Sequence, residues 1–70
     1  MEYQARDLKD NVLVTRDTYQ LARADGLVVA ESRAVPWIVV YMRTNAESEW
    51  QRVDDEPIEN KRFDSDFPRS

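Results

Sequence analysis

Seventy residues with a formal net charge of −4, no cysteine and no histidine bound what this chain can do. Ser-His-Asp and Cys-His nucleophile systems are excluded, as are disulfides and thiolate zinc sites. The acidic balance counts against direct nucleic-acid binding by neutralising phosphates.

The elements follow in chain order. Residues 1–10 are polar and mixed in charge, and Met-Glu-Tyr-Gln-Ala-Arg-Asp has neither the basic start nor the apolar run of a signal peptide. No apolar run approaches the ~20 residues of a membrane span. With the lack of cysteine, this points to a cytoplasmic protein. Asn11-Val12-Leu13-Val14-Thr15 is short and β-branched, and reads as a strand. Asp17-Thr18-Tyr19-Gln20 matches a capping box with Asp17 as N-cap. Gly26, the only glycine, stands where a helix would take a left-handed closing residue, so a short helix is expected over about 18–25. Two other readings stay open here. Asp25-Gly26 is also a hairpin turn signal, and Ala5, Leu8, Val12, Thr15, Tyr19 and Ala22 follow the spacing of one long helix.

Residues 27–31, Leu-Val-Val-Ala-Glu, read as a strand, and Pro36 holds Val35 extended before the next one. Residues 37–43, Trp-Ile-Val-Val-Tyr-Met-Arg, are apolar on both faces, which marks a central strand. A five-residue loop returns the chain along 49–53. That register sets Arg43 against Glu49, Met42 against Trp50, Tyr41 against Gln51 and Val39 against Val53, each a sensible cross-strand pair. The segment resembles the strand–turn–strand of Sm-like small barrels, the WYL regulatory module among them, over less than a third of the chain. The basic and aromatic positions such modules use on ligands are not recognisable, so no family follows from it.

The expected fold is a single small α+β domain. It has a three- or four-stranded antiparallel sheet, with a meander of 27–31, 37–43 and 49–53, and one short helix. A small all-β barrel is the alternative. One helix covers only one face of the central strand. Ile58, Phe63 and Phe67, spaced through an acidic C-terminal segment over 54–70, are the remaining candidates to cover the other.

Chemistry is sparse. One glycine leaves no phosphate-cradling loop or dinucleotide fingerprint. Lys9 and Lys61 lie in no apolar run that would activate an amine. Carboxylate pairs alone could do acid–base work. No enzyme and no cofactor is expected. Asp64-Ser65-Asp66 could offer oxygens to a divalent cation, but three residues without further ligands read as a solvated tail, so no metal is expected.

The densest charge feature is acidic. Between Glu47 and Glu59, the carboxylates Glu47, Glu49, Asp54, Asp55, Glu56 and Glu59 face one cation, Arg52. An extended chain advances about 3.3 Å per residue, close to the ~3.4 Å between phosphates on a DNA strand. An acidic segment can therefore stand in for a phosphate backbone. These six residues are the candidate partner-binding set, and the expected partner is a nucleic-acid-handling protein with a basic surface. Small acidic proteins without catalytic residues are typical of phage and mobile-element inhibitors, anti-CRISPR proteins among them, which is an argument from type. The alternative is a non-catalytic accessory or regulatory domain that binds a partner, or a second copy of itself, through an apolar sheet face. A further alternative is a single-stranded nucleic-acid binder that stacks bases on Trp37, Tyr41 and Trp50.

Overall fold

The computed structural model of the protein describes residues 1–60. The elements are β1 (Glu2–Arg6), β2 (Val12–Arg16), α1 (Tyr19–Ser32), β3 (Trp37–Arg43), β4 (Gln51–Arg52) and β5 (Ile58–Glu59). The strands form one open antiparallel sheet in the order β2-β1-β3-β4, with β5 also paired to β3. The fold is α+β as expected, and β3 is the central strand, but its neighbours differ from the expected meander.

The polar N-terminus is a strand because it pairs along β3, and its side chains alternate between the two faces. Tyr3 and Ala5 stand opposite Met42 and Val40 on the face that α1 covers, while Glu2, Gln4 and Arg6 stand on the other. Residues 7–11 close the first hairpin around Asp7. Its carboxylate accepts the backbone N–H of Lys9 at 2.8 Å, that of Asn11 at 2.9 Å and the Asn11 side-chain amide at 2.9 Å. Asp10 takes a left-handed φ of 68°, which Asp tolerates better than most residues. A bulge follows: Ala5 faces Val14, but Arg6 faces Val12. The extra residue lets consecutive Leu13 and Val14 both be buried.

The helix differs most from expectation. It starts one residue later, at an N-cap Thr18 whose hydroxyl accepts the Leu21 N–H at 3.2 Å, instead of at Asp17. It then runs through Gly26 to Ser32. Residues 27–31 are therefore helix and not strand, and neither the Asp25-Gly26 hairpin nor the long N-terminal helix forms. Ala22, Gly26 and Ala30, spaced by four, are all buried against the sheet. These small residues let the helix close on Ala5 and Ile38, and that burial outweighs the ~1 kcal/mol a mid-helix glycine costs relative to alanine. The stop comes at Ala34, with φ 59°. The Ala34 N–H bonds to the Glu31 carbonyl at 3.2 Å and the Val35 N–H to the Ala30 carbonyl at 2.7 Å. This is a Schellman closure with alanine where glycine is usual.

The covered face of β3 carries Ile38 and Val40, both fully buried. Ile38 joins Ala5, Leu13, Val14 and Ala30 in the core, with Leu27, Val29, Val35 and Ile58 packed against it. Ile58 thus returns to the sheet as an edge strand, opposite Ile38. Phe63 and Phe67 lie outside the described residues, as does the Asp64-Ser65-Asp66 pair.

The second hairpin is slipped by one residue from the expected register. Tyr41 faces Arg52 and Met42 faces Gln51, and only 51–52 of the expected 49–53 is strand. The connection is longer because Asn45 folds it on itself, its side chain accepting the Glu47 N–H at 2.8 Å and the Ser48 hydroxyl at 3.2 Å. A one-residue slip moves every side chain to the other face. Trp50 therefore leaves the face of Ile38 and Val40 and joins Tyr41 and Arg43.

Candidate interaction surface

The six acidic candidates all follow β3 in the chain. They lie along the edge of the sheet opposite β2, because β4, β5 and their two loops line the outer side of β3. Glu59 faces Trp37 at the start of β3, and Glu47 and Glu49 lie in the connection that follows its end. Seven residues of strand give this edge a length of about 20 Å at ~3.3 Å per residue.

Five of the six are exposed: Glu47, Glu49, Asp55, Glu56 and Glu59. None of these five makes an ion pair or side-chain hydrogen bond among the described residues. Most acids elsewhere are engaged, exposed Asp17 excepted. Glu2 meets Arg43 at 2.6 Å, Asp25 meets Arg16 at 2.8 Å and Asp10 meets Arg6 at 3.8 Å. Asp7 is consumed by its own turn. The hydrogen bond from the Asn11 side chain is the main cause holding the Asp7 carboxyl below its ordinary value of 3.8. Among the described residues no three acidic groups converge as they would around a metal ion. The free carboxylates are a row along an edge.

Asp54 stands apart from that row. It is half-buried, its Oδ1 accepts the Tyr19 hydroxyl at 3.0 Å, and its Oδ2 is buried without a hydrogen-bond partner among the described residues. Its backbone carbonyl accepts Arg52 Nε at 2.8 Å. Burial raises the Tyr19 phenol above its ordinary 10.0, and the hydrogen bond and charge of Asp54 add to the shift. Tyr19 lies 35 residues from Asp54, and no local pattern in the chain signals the pair.

The aromatic candidates share the helix-free face of the sheet, where arginines already lie over two of them. The Arg6 guanidinium sits 4.2 Å from the Tyr41 ring centroid and 5.6 Å from that of Trp50. Arg43 sits 4.4 Å from Trp50. Each such contact is worth roughly 0.5–2 kcal/mol, and a stacking base would have to displace it. Trp37, 38% exposed, has no such cover among the described residues. It borders a mostly apolar cleft of about 410 Å³ between the loop after β1 and the link from α1 to β3.

No helix among the described residues is long and apolar enough to cross a membrane. Compared with protein-family models, with curated proteins and with solved structures, the chain has no match.

Proposed function

We propose that this chain is a small acidic binding protein that inhibits or regulates a macromolecular partner by laying its carboxylate edge against a basic surface. The observation that carries this reading is the row of five exposed carboxylates, Glu47, Glu49, Asp55, Glu56 and Glu59, which have no partner among the described residues, while most other acids there are paired. Free charges along an edge of about 20 Å steer a basic partner into place and complete their pairing only on contact. The edge is of a size to enter a cleft that ordinarily holds a nucleic-acid backbone. A nucleic-acid-handling protein is therefore the partner proposed, with the phage and mobile-element inhibitors as the type and no catalytic step assigned.

The test changes charge without changing shape. The parent protein is used as bait in lysate of its own source cell, and the protein retained is identified and purified. Its binding is then compared with a variant carrying Glu49→Gln, Asp55→Asn, Glu56→Gln and Glu59→Gln. Exposed carboxylates contribute only a few tenths of a kcal/mol each to stability, so the variant should melt with the parent. Association should slow, affinity should fall, and the dependence on salt should flatten. Undiminished affinity at low salt would remove the reading. Binding through the helix-free sheet face predicts no change, and single-stranded nucleic-acid binding predicts a gain, because repulsion is relieved.

A further inference from the structure

Asp54 belongs to the acidic run in sequence but is turned inward in the structure, and what holds it there has a consequence for its neighbours. The loop from Val53 to Pro57 joins the two short edge strands β4 and β5. Its start is fixed by the Val53 N–H on the Val40 carbonyl at 2.9 Å. The next residue is gripped twice, by Arg52 on its backbone carbonyl and by the Tyr19 hydroxyl on its carboxylate. Asp55 and Glu56 follow immediately and are exposed.

The Tyr19 end of this clasp is itself fixed. Tyr19 is the first residue of α1, and its half-buried ring meets Tyr3 of β1 edge-to-face, with centroids 6.4 Å apart and planes at 76°. Tyr3 is in turn held in the sheet opposite Met42. The hydroxyl is thus delivered by a ring packed between helix and sheet. With the other Asp54 oxygen buried and unpartnered among the described residues, this hydroxyl is the side-chain donor that offsets burial of the carboxylate, which costs heavily when nothing pairs with it.

We infer that Tyr19 is a positioning residue for the acidic edge: its hydroxyl holds Asp54 inward and so fixes the direction in which Asp55 and Glu56 leave the sheet. Asp54 is then an internal anchor and not a partner contact. This inference rests on the proposed function for its consequence in binding, though not for the clasp itself. A pre-positioned pair of carboxylates suits a basic partner, since the loop is ordered before contact and its ordering cost is not met again on binding.

The experiment uses the free protein first. In the parent, backbone order parameters for residues 54–56 should lie near the ~0.85 of rigid backbone. Tyr19→Phe keeps the ring packing and removes the donor, and should bring these residues toward or below about 0.6 with the amides of β1 and β3 unmoved. Asp54→Ala should loosen the same residues from the other end of the bond. Asp54→Asn keeps an acceptor for the hydroxyl and should retain their order. Loop order unchanged in both Tyr19→Phe and Asp54→Ala would overturn the inference. Binding to an octa-arginine peptide supplies the second readout. Tyr19→Phe leaves every edge charge in place, so association rate and salt slope should match the parent while dissociation quickens about two- to tenfold. A loosened loop with unchanged dissociation would overturn its role in binding. A loosened loop in a protein whose parent form ignores the peptide would leave the clasp standing and count against the acidic-edge reading instead.

Discussion

A β-carbon placed on Gly26 would stand 2.5 Å from the β-carbon of Ala5 and 3.3 Å from Ile38 Cδ1. The helix therefore rests on the sheet at a distance that only glycine permits. Carbon atoms in van der Waals contact sit about 3.5–4.0 Å apart, and both partners at the closer contact are first atoms off the backbone, which no rotamer change can move. Gly26→Ala would gain about 1 kcal/mol of helix propensity, while overpacking costs about 1–3 kcal/mol or more. The expected outcome is a net loss, with a melting temperature several degrees below the parent. An equal or higher melting temperature would show that the helix can lift away at no cost.

Ala34 makes the opposite case. Its left-handed φ of 59° closes the helix, and a β-carbon in that conformation costs roughly 1–2 kcal/mol. Ala34→Gly should relieve most of this, less the extra freedom glycine gains in the unfolded chain. The expected result is a stabilisation of about 0.5–1 kcal/mol by chemical denaturation, with the fold unchanged. Destabilisation would mean that the strain is not there.

Val40 is fully buried between β1 and the outer edge strand, on the face that α1 covers. Val40→Asp would place a carboxylate without partners in the core, at a cost of several kcal/mol. A domain of this size should then be largely unfolded at 25 °C by circular dichroism. A cooperative melt matching the parent would refute the central-strand placement.

Two ionisable groups set pH limits of opposite sign. The Asp7 carboxyl, held low mainly by the Asn11 side chain, contributes stability that is present above 3.8 and lost as pH falls through its lower folded value. The Tyr19 phenol, held high by burial and by Asp54, contributes stability that is complete below 10.0 and lost as pH rises through its higher folded value. Asp7→Asn should therefore remove part of the stability slope on the acid side only, and Tyr19→Phe part of it on the alkaline side only. Melting temperatures across both ranges would check this, and an effect of either variant on the other side would contradict the assignment.

Several features were legible in the chain because they depend on neighbouring residues. The doubly apolar run Trp37–Arg43 reads as a central strand, and the β-branched cluster Val12–Val14 favours an extended chain over the long helix whose spacing also passes through it. The acidic excess after Glu47 is a matter of counting, and it lies along one edge because β4 and β5 line the same side of β3. Other features were misread because local signals pointed two ways. Leu27 to Glu31 has strand composition, and Gly26 is a strong stop signal. The helix continues because Ala22, Gly26 and Ala30 together make a smooth face for Ala5 and Ile38, residues far away in the chain.

What the sequence by itself determined is the class of the fold, its central strand, and a chemistry without histidine or cysteine. Tertiary structure alone decided the rest. Polar Glu2–Arg6 is a strand because β3 offers it an edge. Trp50 lies under Arg6 and Arg43 because the Asn45 turn slips the hairpin by one residue. Asp54 is an anchor because Tyr19, 35 residues away, reaches it. Each of these turns on a contact between segments distant in the chain, and periodicity and propensity carry no record of which distant partner a residue will meet.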